Sequence, residues 1–308
     1  MKMKYVFMFV VVALLVAVCQ TQAAFLVAEQ GGNVQNYSGS GSFLGTFATG
    51  FLSPIGVAEG GGNVFVSDLT GSYIYKYSAS GTPLGVINNA AVTGGHQPAG
   101  IAWSDNRING AAYGINYLTS HGPDAGAEDG LPGTPLSYLY YGPSVSTIHG
   151  VASANPNGYT GVYFTYSSGT DGSGGLGYWD PGVMAIDSIF TVVAGSTPRG
   201  VVTDGSGNLF VALNGTGTIM KRDSVGTVTT WKTGLDSPVG LAVDGGNLYV
   251  GSFNGKTITG YSLSTGSQVS SFATLSSPQY FTVTAIPEPM TVSILGLGML
   301  GLLRRKRN

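Results

Sequence analysis

The chain has 308 residues, of which 43% are hydrophobic and only 9% charged, against about 25% charged in an average globular protein; fifty glycines with many Ser and Thr take the place of charges, as in turn-dense all-β proteins. Between residues 25 and 286, seven basic residues face fourteen acidic ones, a net charge of about −7, so the basic face that nucleic-acid binding needs is lacking. The sole cysteine, Cys19, lies in the N-terminal apolar segment, which excludes a disulfide or a cysteine-ligated metal from the body of the chain.

Lys2 and Lys4 precede an apolar run, 5–18, that ends in Gln20-Thr21-Gln22-Ala23-Ala24. A basic start, a short apolar helix and a small-residue end are the parts of a secretory signal peptide, expected over 1–24 and cleaved after Ala23 or Ala24. The run is shorter than a membrane-spanning helix requires.

A phrase then recurs: a small polar residue, Pro, any residue, Gly, an apolar strand, a Gly-rich turn and a second strand. Ser53-Pro54-Ile55-Gly56-Val57-Ala58-Glu59, Thr197-Pro198-Arg199-Gly200-Val201-Val202 and Ser237-Pro238-Val239-Gly240-Leu241-Ala242 are its best copies. Their second strands read Asn63-Val64-Phe65-Val66, Asn208-Leu209-Phe210-Val211 and Asn247-Leu248-Tyr249-Val250. Anchors at Pro54, Pro98, Ile148, Pro198, Pro238 and Pro278 recur every 40 to 50 residues, a spacing that signals stacked four-stranded sheets. Asn214-Gly215 and Asn254-Gly255 are expected to supply positive-φ turns between second and third strands. The last anchor starts a first strand with no second strand after it, whereas residues 25–37 read as a second and third strand with no first. Joining them completes one sheet and removes two open edges. The expected fold is therefore an all-β, six-bladed β-propeller over 25–285, closed by the N- and C-terminal strands in one blade.

The tail reads Ile286-Pro287-Glu288-Pro289, an apolar stretch 290–303, then Arg304-Arg305-Lys306-Arg307. An apolar helix this short spans about 20 Å, less than the roughly 30 Å hydrocarbon core, and its basic end is expected to stay cytoplasmic. Over these last residues, 286–308, the chain resembles the PEP-CTERM sorting tail, whose signature is Pro287, Glu288, Pro289, one short transmembrane helix and a basic end. That resemblance implies export by signal peptidase and the general secretion machinery of a Gram-negative cell. Transient anchoring in the inner membrane and recognition by an exosortase-type transpeptidase follow, often beside exopolysaccharide export. The blade phrase resembles NHL-type propellers and, more loosely, gluconolactonase-like and streptogramin-lyase-like propellers. The divalent-ion set of the gluconolactonase-like family, a Glu, an Asn and an Asp, does not map onto these blades.

No zinc-hydrolase, nucleophile-elbow, phosphate-loop or EF-hand string occurs. Asp204, Asp244 and Glu59 share one hairpin slot and are read as turn residues. Residues that break the repeat are more telling. The middle residue of the anchor is Ile55, Ala99, His149, Arg199, Val239 and Gln279 in turn, and all six are expected to line one mouth of the central channel. His96 and His121 are expected near that mouth, which gives a candidate ligand pocket of His96, His121, His149, Arg199 and Gln279, with a divalent metal as its candidate cofactor. Acidic loops at 124–129 and Asp171-Gly172-Ser173-Gly174-Gly175 offer oxygen ligands for Ca²⁺ without full ligand spacing. Tyr138, Tyr140, Tyr141, Tyr178 and Trp179, in or beside insertions at 120–136 and 167–178, could stack on sugars or pack the sheets. The leading expectation is an exported surface or extracellular-matrix binding module for polysaccharide or protein. Its rivals are a metal-assisted lactonase- or lyase-like enzyme and a structural matrix scaffold.

Overall fold

The computed structural model describes residues 24–71, 73–88, 97–104, 107–113, 117–121, 137–140, 147–153, 162–168, 171–180 and 185–284. The signal-peptide and sorting-tail readings, including both terminal helices, lie outside the described residues, as do His96, Tyr141 and the 124–129 loop. No helix among the described residues is long and apolar enough to cross a membrane.

The described residues form twenty-four strands in six four-stranded sheets. One sheet runs β4 (Pro54–Gly60), β5 (Asn63–Asp68), β6 (Tyr73–Ser78), β7 (Pro83–Asn88). The next holds β8 (Gln97–Ser104), β9 (Arg107–Tyr113), β10 (Tyr117–His121), β11 (Ser137–Tyr140), and a third β12 (Thr147–Ser153), β13 (Val162–Ser167), β14 (Gly174–Asp180), β15 (Ala185–Val192). Two more follow the same meander: β16 (Pro198–Thr203) through β17 (Leu209–Leu213) and β18 (Thr218–Arg222) to β19 (Val228–Lys232), and β20 (Pro238–Asp244) through β21 (Asn247–Ser252) and β22 (Thr257–Ser262) to β23 (Gln268–Ala273). The remaining sheet has the order β24 (Pro278–Thr284), β1 (Ala24–Glu29), β2 (Asn33–Tyr37), β3 (Phe43–Thr49), so the last strand pairs with the first. The stretch 167–178, read from sequence as an insertion, is mostly the hairpin and strand β14.

Each sheet buries both faces against its neighbours, which is why the strands alternate so imperfectly. Phe25, Val27 and Tyr37 pack on Ala242, Tyr249 and Ile258 of the preceding sheet. Phe210 and Ile219 meet Leu241 and Leu248, and Leu176 meets Val201 and Leu209. Ala99 sits with Ile148 and Phe164, and Phe65 with Ile101. The sixth junction is aromatic, with Phe47 on β3 edge-on to Tyr77 on β6 at 5.7 Å. Six such junctions return to their start, which makes the body a β-propeller.

A buried polar latch holds the closing sheet. The Glu29 carboxylate, 1% exposed, accepts from Tyr37 Oη at 2.6 Å and from the Ser276 amide at 2.8 Å. Tyr37 Oη in turn accepts from the Leu275 amide at 2.9 Å, and the Gln30 amide donates to the Ser277 carbonyl at 2.9 Å. Three of these bonds tie residues more than 230 positions apart, so those three are lost when the ring opens. Tyr37→Phe deprives a buried carboxylate and a backbone amide of their partner at once. Urea denaturation is expected to show a loss of about 2 to 3 kcal/mol with an unchanged m-value.

The turns differ from expectation at one point. Gly215 and Gly255 do not carry positive φ; that conformation falls on Gly217 (φ 63°) and Lys256 (φ 51°), the last residues of matching four-residue loops. Gly215 is small for another reason, since a Cβ there would meet the Gly195 carbonyl oxygen at 1.8 Å. The Asp204 slot behaves as read, with Oδ1 accepting from the Ser206 and Asn208 amides at 2.8 and 3.1 Å.

Candidate functional site: the channel mouth

The recurring Pro-x-Gly is a β-bulge. Pairing with the second strand breaks between Pro54 and Val57, Pro98 and Ile101, Ile148 and Val151, Pro198 and Val201, and Pro238 and Leu241. A bulge tolerates Pro and re-aims the side chains of its unpaired residues. The Gly then lets the next sheet close in. A Cβ on Gly56, Gly100, Gly150, Gly200 or Gly240 would lie 2.9, 2.6, 2.4, 2.2 or 2.4 Å from the carbonyl oxygen of Ala99, His149, Arg199, Val239 or Gln279. Each contact thus joins the bulge of one inner strand to that of the next. In two sheets a hydroxyl completes the joint. Ser67 Oγ accepts from the Gly56 amide at 2.8 Å and donates to the Ala99 carbonyl at 2.6 Å, and Thr165 likewise bridges the Gly150 amide and the Arg199 carbonyl.

The middle residues of the bulges therefore face the channel together. Ile55, Ala99, His149, Arg199, Val239 and Gln279 line one cavity of about 240 Å³. Asn214, Phe253 and Tyr280 complete its wall. A second cavity, also of about 240 Å³, is lined by residues further along the same six strands, among them Glu59, Trp103 and Thr203.

His121 is not brought to the first cavity by its backbone. It ends β10, the third strand of its sheet rather than the second, and pairs with Ile108, which pairs with Trp103. Trp103 borders the second cavity, whereas the bulge end of β8 is Gln97 opposite Tyr113. The expected convergence of His121 with His149 thus fails by two strands and nearly the length of the sheet. From sequence, His121 was expected where the second strand of its sheet ends, and that strand is β9.

His149 is 4% exposed and fully engaged at both ring nitrogens. Nε2 lies 2.7 Å from Ser167 Oγ, and Nδ1 lies 2.9 Å from Arg199 Nη1. A guanidinium can only donate, so Nδ1 must be the acceptor, and the ring is the neutral tautomer with its proton on Nε2, donated to Ser167. Burial first, and the Arg199 charge second, push His149 down to about 3. The imidazole is a post that aims Arg199, and neither nitrogen lone pair is open to a metal ion. No group of three or more His, Cys, Asp or Glu able to hold a metal is found among the described residues. Asp171 accepts from the amide and hydroxyl of its own turn residue Ser173, at 3.0 and 2.7 Å. Tyr178 packs on Tyr163 with ring centroids 5.0 Å apart, a sheet contact.

Tyr280 is the wall residue that sequence reasoning passed over. It stands where the other five Pro-x-Gly or Ile-x-Gly anchors have Gly, and its Oη is buried without a hydrogen-bond partner. Burial pushes its phenol well above the usual range, and the Arg199 charge acts in the opposite direction. Asn214 and Phe253 occupy equivalent positions just after β17 and β21; the sequence reading took Asn214 only as a turn residue and passed over Phe253.

No family model matches the chain, and no curated protein matches it. Solved structures do. The chain is similar to a chain of a nidogen/laminin complex (TM-score 0.70, 15% identity, 86% of this chain and 99% of that one). It is also similar to Kuenenia stuttgartiensis hydrazine synthase (TM-score 0.61, 15% identity, 84% and 85%) and to a streptogramin B lyase (TM-score 0.56, 16% identity, 72% and 69%). At these identities the likeness establishes the fold alone, an all-β propeller.

Proposed function

We propose that this chain is an exported, six-bladed β-propeller that acts as a binding module at the cell surface or in the extracellular matrix, with a polysaccharide or a protein as its ligand. The observation that carries the reading is the composition of the channel mouth. Repeated glycines do structural work at five of the six joints, while the non-repeating His149, Arg199, Gln279 and Tyr280 line one cavity. His149 serves there as a support, which favours recognition over acid–base or metal chemistry. The proposed signal peptide (1–24) and PEP-CTERM-like tail (286–308) supply the address: secretion, passage through the inner membrane and sorting by an exosortase-type enzyme in a Gram-negative envelope. The test is localisation of the native protein together with a glycan and matrix-protein array probed with the full chain in mild detergent. The reading expects surface or extracellular protein with selective affinity; cytoplasmic protein with no affinity for any glycan or matrix component would refute it.

A further inference from the structure

Arg199 is a cation with unspent hydrogen-bonding capacity. One of its five donors goes to His149, and among the described residues no carboxylate forms an ion pair with it. It lines a cavity rather than lying on open surface, so its charge is less screened there than on a convex face. Tyr280 lines the same cavity, and its hydroxyl is buried and unpartnered. A buried polar atom left without a partner is costly unless something else satisfies it, and such atoms in a native fold call for an explanation. A ligand oxygen that accepts from both groups supplies one.

From this geometry we infer that the mouth holds an anion subsite for one carboxylate carried on a sugar ring, a terminal uronic acid. The inference deepens the binding-module reading and rests on it. A planar guanidinium pairs bidentately with a carboxylate, and a Tyr hydroxyl adds a third donor. One guanidinium beside a neutral imidazole balances one negative charge, and a body of net charge about −7 disfavours a more highly charged group or a long polyanion lying across it. The rest of the wall suits a sugar: the Gln279 and Asn214 amides can serve ring hydroxyls, and Phe253 and Val239 offer apolar contact. A volume of about 240 Å³ is below that of a drug-sized site and suits a single ring, hence a chain end rather than an internal unit.

Calorimetric titration of the full chain in mild detergent with D-glucuronate, D-glucose and a short Glu-containing peptide tests this. Glucuronate is expected to bind, glucose at least about tenfold more weakly, and binding should weaken as salt rises. Arg199→Gln should lose at least about tenfold in affinity. Should that variant fold poorly, Tyr280→Phe keeps the ring and removes only the hydroxyl; it should lose roughly three- to tenfold with thermal stability equal or higher. Glucose binding as well as glucuronate, Tyr280→Phe binding within twofold of the native chain, or no glucuronate binding would each overturn the subsite. Tighter binding of the peptide would overturn its assignment to sugar. Matrix affinity that glucuronate does not compete away would remove the subsite and leave the binding-module reading intact. Glucuronate binding by a chain without any matrix or glycan partner would do the reverse.

Discussion

Gly200→Ala is expected to cost at least about 3 kcal/mol, the upper end of overpacking penalties, and to lower Tm by roughly 6 to 12 °C. The added methyl would sit 2.2 Å from the Val239 carbonyl oxygen and 3.2 Å from the Leu241 amide nitrogen, and both are backbone atoms that cannot rotate aside. Relief requires sliding one whole sheet from the next, which opens the mouth beside Arg199. A matched control is Gly31→Ala, whose nearest neighbour would be Ser276 Oγ at an ordinary 3.6 Å. It should change stability by no more than about 0.5 kcal/mol. Equal, small effects of the two substitutions in differential scanning calorimetry would mean that the bulge glycines do not set the spacing of the inner strands.

Acid should destabilise the fold through His149. The folded imidazole is held down to about 3, while the unfolded one titrates near 6.5, so below pH 6.5 the unfolded chain binds a proton that the native state refuses. Stability is level above about pH 7 and falls as pH drops from about 6.5 toward 3, at up to about 1.4 kcal/mol per pH unit. Over that window the loss is on the order of 4 kcal/mol. Glu29 works in the opposite direction. Burial raises its pKa, so protonation relieves a penalty as pH falls through that raised value. Comparison with His149→Gln separates the two, because a Gln amide can still accept from Arg199 and donate to Ser167 but takes no proton. Urea midpoints measured between pH 6 and 4 should drop steeply for the native chain and much less for the variant. Parallel pH profiles would show that His149 is not held neutral by this pair of contacts.

The architecture was largely legible because one local device recurs. Pro-x-Gly is a bulge with a defined contact on each side, so its spacing reports the number of inner strands and its middle residue reports the channel lining. Pro278 and the orphan strand at Phe25 foretold the shared closing sheet for the same reason. Elsewhere the local pattern was ambiguous. Asn214-Gly215 looks like a positive-φ hairpin, but its Gly answers a close approach from Gly195 that no local pattern encodes. His121 went to the wrong end because β9 and β10 lack the phrase that fixes register elsewhere. Tyr280 was visible as a departure from Gly at an otherwise regular position. What that departure means depends on the buried, unpartnered hydroxyl, which only three-dimensional packing reveals.

Every statement about the mouth requires β24 to be seated beside β1, since that pairing brings Gln279 and Tyr280 round to face Arg199. Amide-resolved hydrogen exchange on the full chain tests this directly. The amides of Gln30, Leu275 and Ser276, which donate to Ser277, Tyr37 and Glu29 across the join, should be protected to the level of central-strand amides such as Val250. Exchange of those three at the rate of a frayed terminus, with the other sheets still protected, would show an open ring and a mouth that does not form.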